Sequence, residues 1–161
     1  MQFRRSILTI LILMSFAVLA HGQTSKSSST DQHGPGDDPI ATLASYYDAI
    51  NARDYHRAFD AWDSPPSSYE QFARGFADTD RVRLLVEPSP NVEGAAGSVY
   101  ASIPTIVVAT TRNGIERLFA GCYVMRRSNV QDRGWHIYRA ALSPVSSSTR
   151  LSRILSQGCR N

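Results

Sequence analysis

Residues 99–127 read VYASIPTIVVATTRNGIERLFAGCYVMRR, two runs rich in β-branched and aromatic residues that meet at Asn113-Gly114. Asn-Gly accepts the positive φ angles of a tight turn, so the runs 99–111 and 115–127 fold back on each other as long antiparallel strands. Pro104 has no N–H to give a ladder, which demands an edge position or a bulge at that point. Gly121, between Phe119 and Tyr123, lets the sheet bend or lets a helix approach closely. Upstream, residues 81–87 form a first strand that Pro88-Ser89-Pro90 ends. Gly94-Ala95-Ala96-Gly97 reads as a loop, and no Gly-Lys-Ser/Thr follows to make it a phosphate cradle. A polar loop through Asp132 and Gly134 leads into a last strand over 135–142. The sheet therefore has four antiparallel strands.

Before Asp80 the period is helical. Asp38-Pro39 supplies an N-cap followed by proline in the first turn, and Ile40, Leu43, Tyr46/Tyr47 and Ile50 then recur at helical spacing through Asn51. Asp54 caps a second, short helix whose Tyr55, Ala58, Phe59 and Trp62 share one face, and Pro65-Pro66 ends it. Ser67 with Glu70 is a capping box opening a third helix with Tyr69, Phe72 and Phe76. Helices first and strands afterwards make an α+β domain, with an aromatic-rich helical layer on one sheet face.

The ends of the chain are of another kind. Arg4 and Arg5 precede an apolar run over 7–20, and Ala20-His21-Gly22 places small residues at both specificity positions of a signal-peptidase site. This predicts a signal peptide at 1–22 and a periplasmic or secreted product of a bacterium. The run is short of the roughly 20 apolar residues a membrane span needs, which disfavours the alternative of a retained anchor. No Cys follows the cleavage point to carry a lipid. Residues 23–37, QTSKSSSTDQHGPGD, contain nothing apolar enough to pack and read as a flexible linker. The domain spans 38–143. In the tail, 144–161, Leu151, Ile154 and Leu155 predict a short amphipathic helix with Arg150 and Arg153 on its wet side and Gly158 at its end.

The formal charge is only +3, but residues 111–161 hold nine arginines against Glu116 and Asp132. Arg112, Arg117, Arg126, Arg127, Arg133 and Arg139 make this half the expected contact surface. An exported protein of so modest a charge is not expected to bind nucleic acid. Cys122 and Cys159 are the only cysteines. In an oxidising compartment they invite a disulfide closing a loop of about 38 residues, worth ~4 kcal/mol by loop entropy. The competing reading makes Cys122 a nucleophile beside His136.

The segment Tyr46-Tyr47-Asp48-Ala49-Ile50-Asn51-Ala52-Arg53-Asp54-Tyr55 resembles the NTF2-like, or SnoaL-like, α+β cone proteins. Tyr69-Glu70-Gln71-Phe72 with Gly75-Phe76, Phe119-x-Gly121-x-Tyr123 and Gly134-Trp135-x-Ile137 share the likeness, which spans 38–143. It implies three N-terminal helices on a curved sheet, with pairing to a second copy through the open sheet face. About activity it implies little, because that superfamily holds isomerases, cyclases and dehydratases beside non-catalytic binding domains.

Catalytic members place an Asp or His inside the cone, opposed by a Tyr or a second acid. Tyr46 or Tyr47 could supply the phenol. Among bases, Asp48 points elsewhere on its helix. Asp63 falls near the mouth or caps the turn before Pro65, and His136 alternates with Trp135 and Ile137 and so faces outward. Tyr47, Phe59, Trp62, Asp63, Phe72, Phe76, Tyr100, Tyr123 and Trp135 either line a pocket for a small apolar ligand or, for the aromatic members, pack as core; helical spacing favours packing. His21, His33, His56 and His136 lack companions at ligand spacing, so neither metal nor cofactor is expected. The leading expectation is an exported, non-catalytic domain that binds a small apolar ligand or a protein partner. The alternative is a small isomerase, dehydratase or cyclase using Tyr with Asp or His.

Overall fold

Asp38 accepts a hydrogen bond from the Ile40 N–H and Pro39 fills the first turn, so α1 (Pro39–Asn51) starts where its cap dictates. A computed structural model describes residues 37–131, 133–146 and 150–159. The expected signal at 1–22, the linker up to 36, Asp132, and residues 147–149 and 160–161 of the tail lie outside the described residues. Asp54 caps α2 (Tyr55–Asp60) by accepting from the Arg57 N–H. At α3 (Tyr69–Gly75) the cap is Ser68, which accepts from the Gln71 N–H. The expected Ser67 box is thus displaced by one residue; Ser67 instead hydrogen-bonds the Ser68 carbonyl.

Five strands follow: β1 (Thr79–Val86), β2 (Asn91–Ala95), β3 (Ser98–Thr111), β4 (Glu116–Ser128) and β5 (Trp135–Val145). β2 corrects the loop expected around Gly94. Ala95 pairs with Ser98, and only Ala96 and Gly97 turn the chain, with φ of 41° and 77°. Positive φ at both positions is the tight-hairpin geometry, and an alanine there is a weak sequence signal. β5 also runs past the expected end at 142, through Pro144 to Val145.

All pairing is antiparallel, in the order β1-β3-β4-β5, with β2 also on β3. β3 keeps β4 along one side for its whole length. On its other side β1 ends at Val86↔Thr105 and β2 begins at Asn91↔Ser102. Pro104 stands in that gap. Its carbonyl accepts from the Glu87 N–H, so the donor it lacks would also point there. Pro104 thus sits mid-sheet, at an interruption in the ladder instead of at an edge or bulge.

Two devices curve the sheet. A bulge lets Tyr138 intrude between the pairs Met125↔Ile137 and Val124↔Arg139. At Gly121 a Cβ would come 1.9 Å from the Ala141 carbonyl oxygen, so the close approach is of strand to strand. The chain after α2 adds a parallel bridge, Trp62↔Ile137, in which Ala61 and Asp63 hydrogen-bond the Ile137 backbone. Trp62 therefore belongs to this bridge, beyond the end of α2.

Both sheet faces are covered, unequally. The main core lies between helices and the inner face, around Leu43, Ile50, Ile103, Met125 and Ile137. On the outer face, α4 (Leu151–Ser156) sets Leu151, Ile154 and Leu155 on Ile106, Val108 and Ala120. The Cys122–Cys159 disulfide ties the end of this tail to β4, with Cα atoms 5.6 Å apart. Among the described residues no helix is long and apolar enough to cross a membrane.

Candidate functional site

The inward-pointing rings pack against one another in the layer between helices and sheet. Tyr46 and Tyr47 meet edge to face at 4.8 Å, Phe72 meets Phe59 at 5.5 Å and Phe76 at 5.2 Å, and Trp62 stands against Tyr46 at 6.2 Å. The Tyr47 and Tyr123 hydroxyls hydrogen-bond each other at 2.6 Å in rings 6% and 3% exposed. Burial pushes the Tyr123 hydroxyl up to about 12 and raises Tyr46 and Tyr47 as well. These groups stay protonated at neutral pH. Trp135 closes the layer and donates its indole N–H to the Asp37 carbonyl.

Of the nine residues expected to act together, Tyr47, Phe59, Trp62, Phe72, Phe76, Tyr123 and Trp135 gather in this inner layer. Tyr100 and Asp63 do not. Opposite residues across strands share a face, and the register puts Glu93, Tyr100, Arg126 and His136 in one row on the outer face. Asp63 reaches that row from the α2–α3 connection and accepts from Arg126 at 2.6 Å, while the Arg126 Nε donates to Ser98. The carboxylate beside it holds Arg126 still more firmly in its charged form. Asp63, Arg126, Ser98 and His136 line a polar recess of about 340 Å³.

Arginines expected to form one surface are divided between faces. Arg126 is on the outer face, whereas its neighbour Arg127 lies 5.1 Å from the Trp135 ring centre. Among the described residues no three His, Cys, Asp or Glu side chains gather as a metal centre.

Beside α4 the outer face stays open as a groove of about 1160 Å³. Its floor is Ser102, Pro104, Val124, Ala141 and the edge-to-face pair Tyr100–Tyr138, with ring centres 5.5 Å apart. Glu87 and Glu93 stand on one side, Arg139 on the other, and Leu155 with the disulfide closes the α4 end. Sequence reading named Tyr100 and Arg139 without joining them. Strict alternation after Ile137 turns Arg139 inward; the bulge at Tyr138 keeps Tyr138 and Arg139 on the outer face.

No family model matches the chain, and no curated protein matches it. Solved structures do. A scytalone dehydratase-like protein from Novosphingobium aromaticivorans superposes with a TM-score of 0.50 at 6% identity, over 66% of this chain and 81% of its own. A protein of unknown function from Mycobacterium tuberculosis gives 0.50 at 17% identity, over 75% and 89%. An NTF2-like superfamily protein from Salmonella enterica gives 0.48 at 14%, over 67% and 89%. Helices packed on a curved antiparallel sheet define the α+β cone class. Within that class, this chain has the NTF2-like fold.

Proposed function

We propose that this chain is an exported, non-catalytic NTF2-like domain that binds a protein partner on the outer face of its sheet. The observation that carries the reading is the filled interior. Tyr47 and Tyr123 satisfy each other's hydroxyls within a shell of packed rings, which leaves little room for a small apolar ligand. The acid–base groups needed by an isomerase or dehydratase stand elsewhere. Asp48 is exposed, Asp63 is engaged by Arg126, and His136 is on the outer face. The open groove beside α4 offers apolar floor and charged rims, the composition of a recognition surface. Export is supported by the basic-apolar-small N-terminus and by a disulfide that suits an oxidising compartment.

Native mass spectrometry of the protein purified from its own host tests this reading. A protein-sized adduct that Tyr138→Glu removes is the expected result, since Tyr138 is 47% exposed on the groove floor and tolerates a charge without disturbing the core. A small-molecule adduct that persists in Tyr138→Glu would refute it.

A further inference from the structure

We infer that the groove receives an amphipathic helix of the partner, running along the strands toward α4, with basic residues along one edge of its apolar stripe and an acidic residue along the other. The inference rests on the surface-binding reading above and names the partner's chemistry. α4 shows how this face is covered: a helix sets Leu151, Ile154 and Leu155 on a strip of small and branched residues. The uncovered half presents Val124 and Ala141 beside the contacting rings of Tyr100 and Tyr138.

Dimensions select the occupant. From Asn91 through Ser102 and Val124 to Arg139 the groove spans four paired strands, about 14 Å at normal strand spacing, which accommodates one helix about 10–12 Å across. A flat sheet from a second copy of this chain would be held off the floor by α4. A small molecule would lie unenclosed, whereas typical ligand pockets cover most of their ligand.

Charge sets the edges. Glu87 and Glu93 both stand on the β1–β2 side; Glu93 has only the Asn91 amide as a hydrogen-bond partner among the described residues. Arg139 stands on the β5 side, with no ion pair among the described residues. Complementary charge on the incoming helix fixes which edge faces which wall and suppresses wrong partners.

The test uses the disulfide-bonded protein and labelled peptides of about 18 residues, long enough for five helical turns, read by fluorescence anisotropy. One peptide carries leucines at helical spacing with lysines along one edge and glutamates along the other. A second carries glutamates along both. The first should bind wild type at least about tenfold more tightly than the second, and Glu87→Lys with Glu93→Lys should reverse that preference. Reversal is a readout that mere unfolding of the variant cannot produce. Equal binding of both peptides, absence of binding, or a preference unchanged by the double substitution would overturn the helix inference. If Tyr138→Glu still removes a protein adduct while the peptides show no preference, the surface reading stands and the helical partner does not.

Discussion

The Tyr47 hydroxyl on α1 and the Tyr123 hydroxyl on β4 hydrogen-bond each other across the layer that joins helices to sheet, 76 residues apart in the chain. Their pairing makes two polar atoms compatible with a buried position. It also leaves neither one pointing into free space.

Removing both members should therefore cost less than the sum of removing each alone. Tyr47→Phe or Tyr123→Phe strands a buried hydroxyl, a loss of about 1–3 kcal/mol, whereas the double Phe variant should be destabilised by less than the two single losses combined. A double-mutant cycle by urea unfolding measures this, and strictly additive losses would refute the pairing.

Alkaline stability follows from the same residues. Because burial raises these pKa values, the folded state keeps protons that the unfolded chain releases above the ordinary value of 10.0. The Tyr123 contribution is complete below about pH 10 and is lost as pH rises through about 12. Urea midpoints should fall across that window.

The disulfide makes a chemical prediction. Titration of unfolded, unreduced protein should detect no free thiol from Cys122 and Cys159. Replacing both by Ser should lower stability by ~2–4 kcal/mol and speed amide exchange in α4 before the rest of the chain. Two reactive thiols in unreduced protein, or unchanged α4 exchange in the variant, would contradict the staple.

Gly121 should be irreplaceable. A Cβ there meets the Ala141 carbonyl, so Gly121→Ala must push β5 away from β4 and cost about 3 kcal/mol or more. Gly75→Ala, with open space around it, is the control and should be neutral or slightly stabilising. Equal unfolding midpoints for the two variants would show that β5 yields easily.

Export is tested at the N-terminus. Mass spectrometry of the protein from its host should find a chain beginning at Gln23, and an intact Met1 on most molecules would remove that part of the proposal.

Local chemistry explains what was legible from residues alone. Asp38, Pro39 and Asp54 act on backbone within four positions of themselves, so α1 and α2 start where their caps stand. The long hairpin turns at Asn113-Gly114 as its residues suggest, with Gly114 alone of the two at positive φ, 83°. Cys122 and Cys159 were the only partners available to each other. The third cap shifted to Ser68 because two adjacent serines offer the same oxygen, and packing chose between them.

The groove was illegible for a different reason. Which face a side chain takes depends on register, and one intruding residue, Tyr138, changes it for everything after it. Asp63 is paired with a residue 63 positions away, and no local pattern announces that distance. Apolar periodicity and capping dictated the helices, the strands and the curved cone they build, because those signals act over one or two turns. The occupied interior, the half-covered outer face and the opposed charges of its rims came from long-range packing, where contacts between distant residues outweigh anything a short stretch of chain can encode.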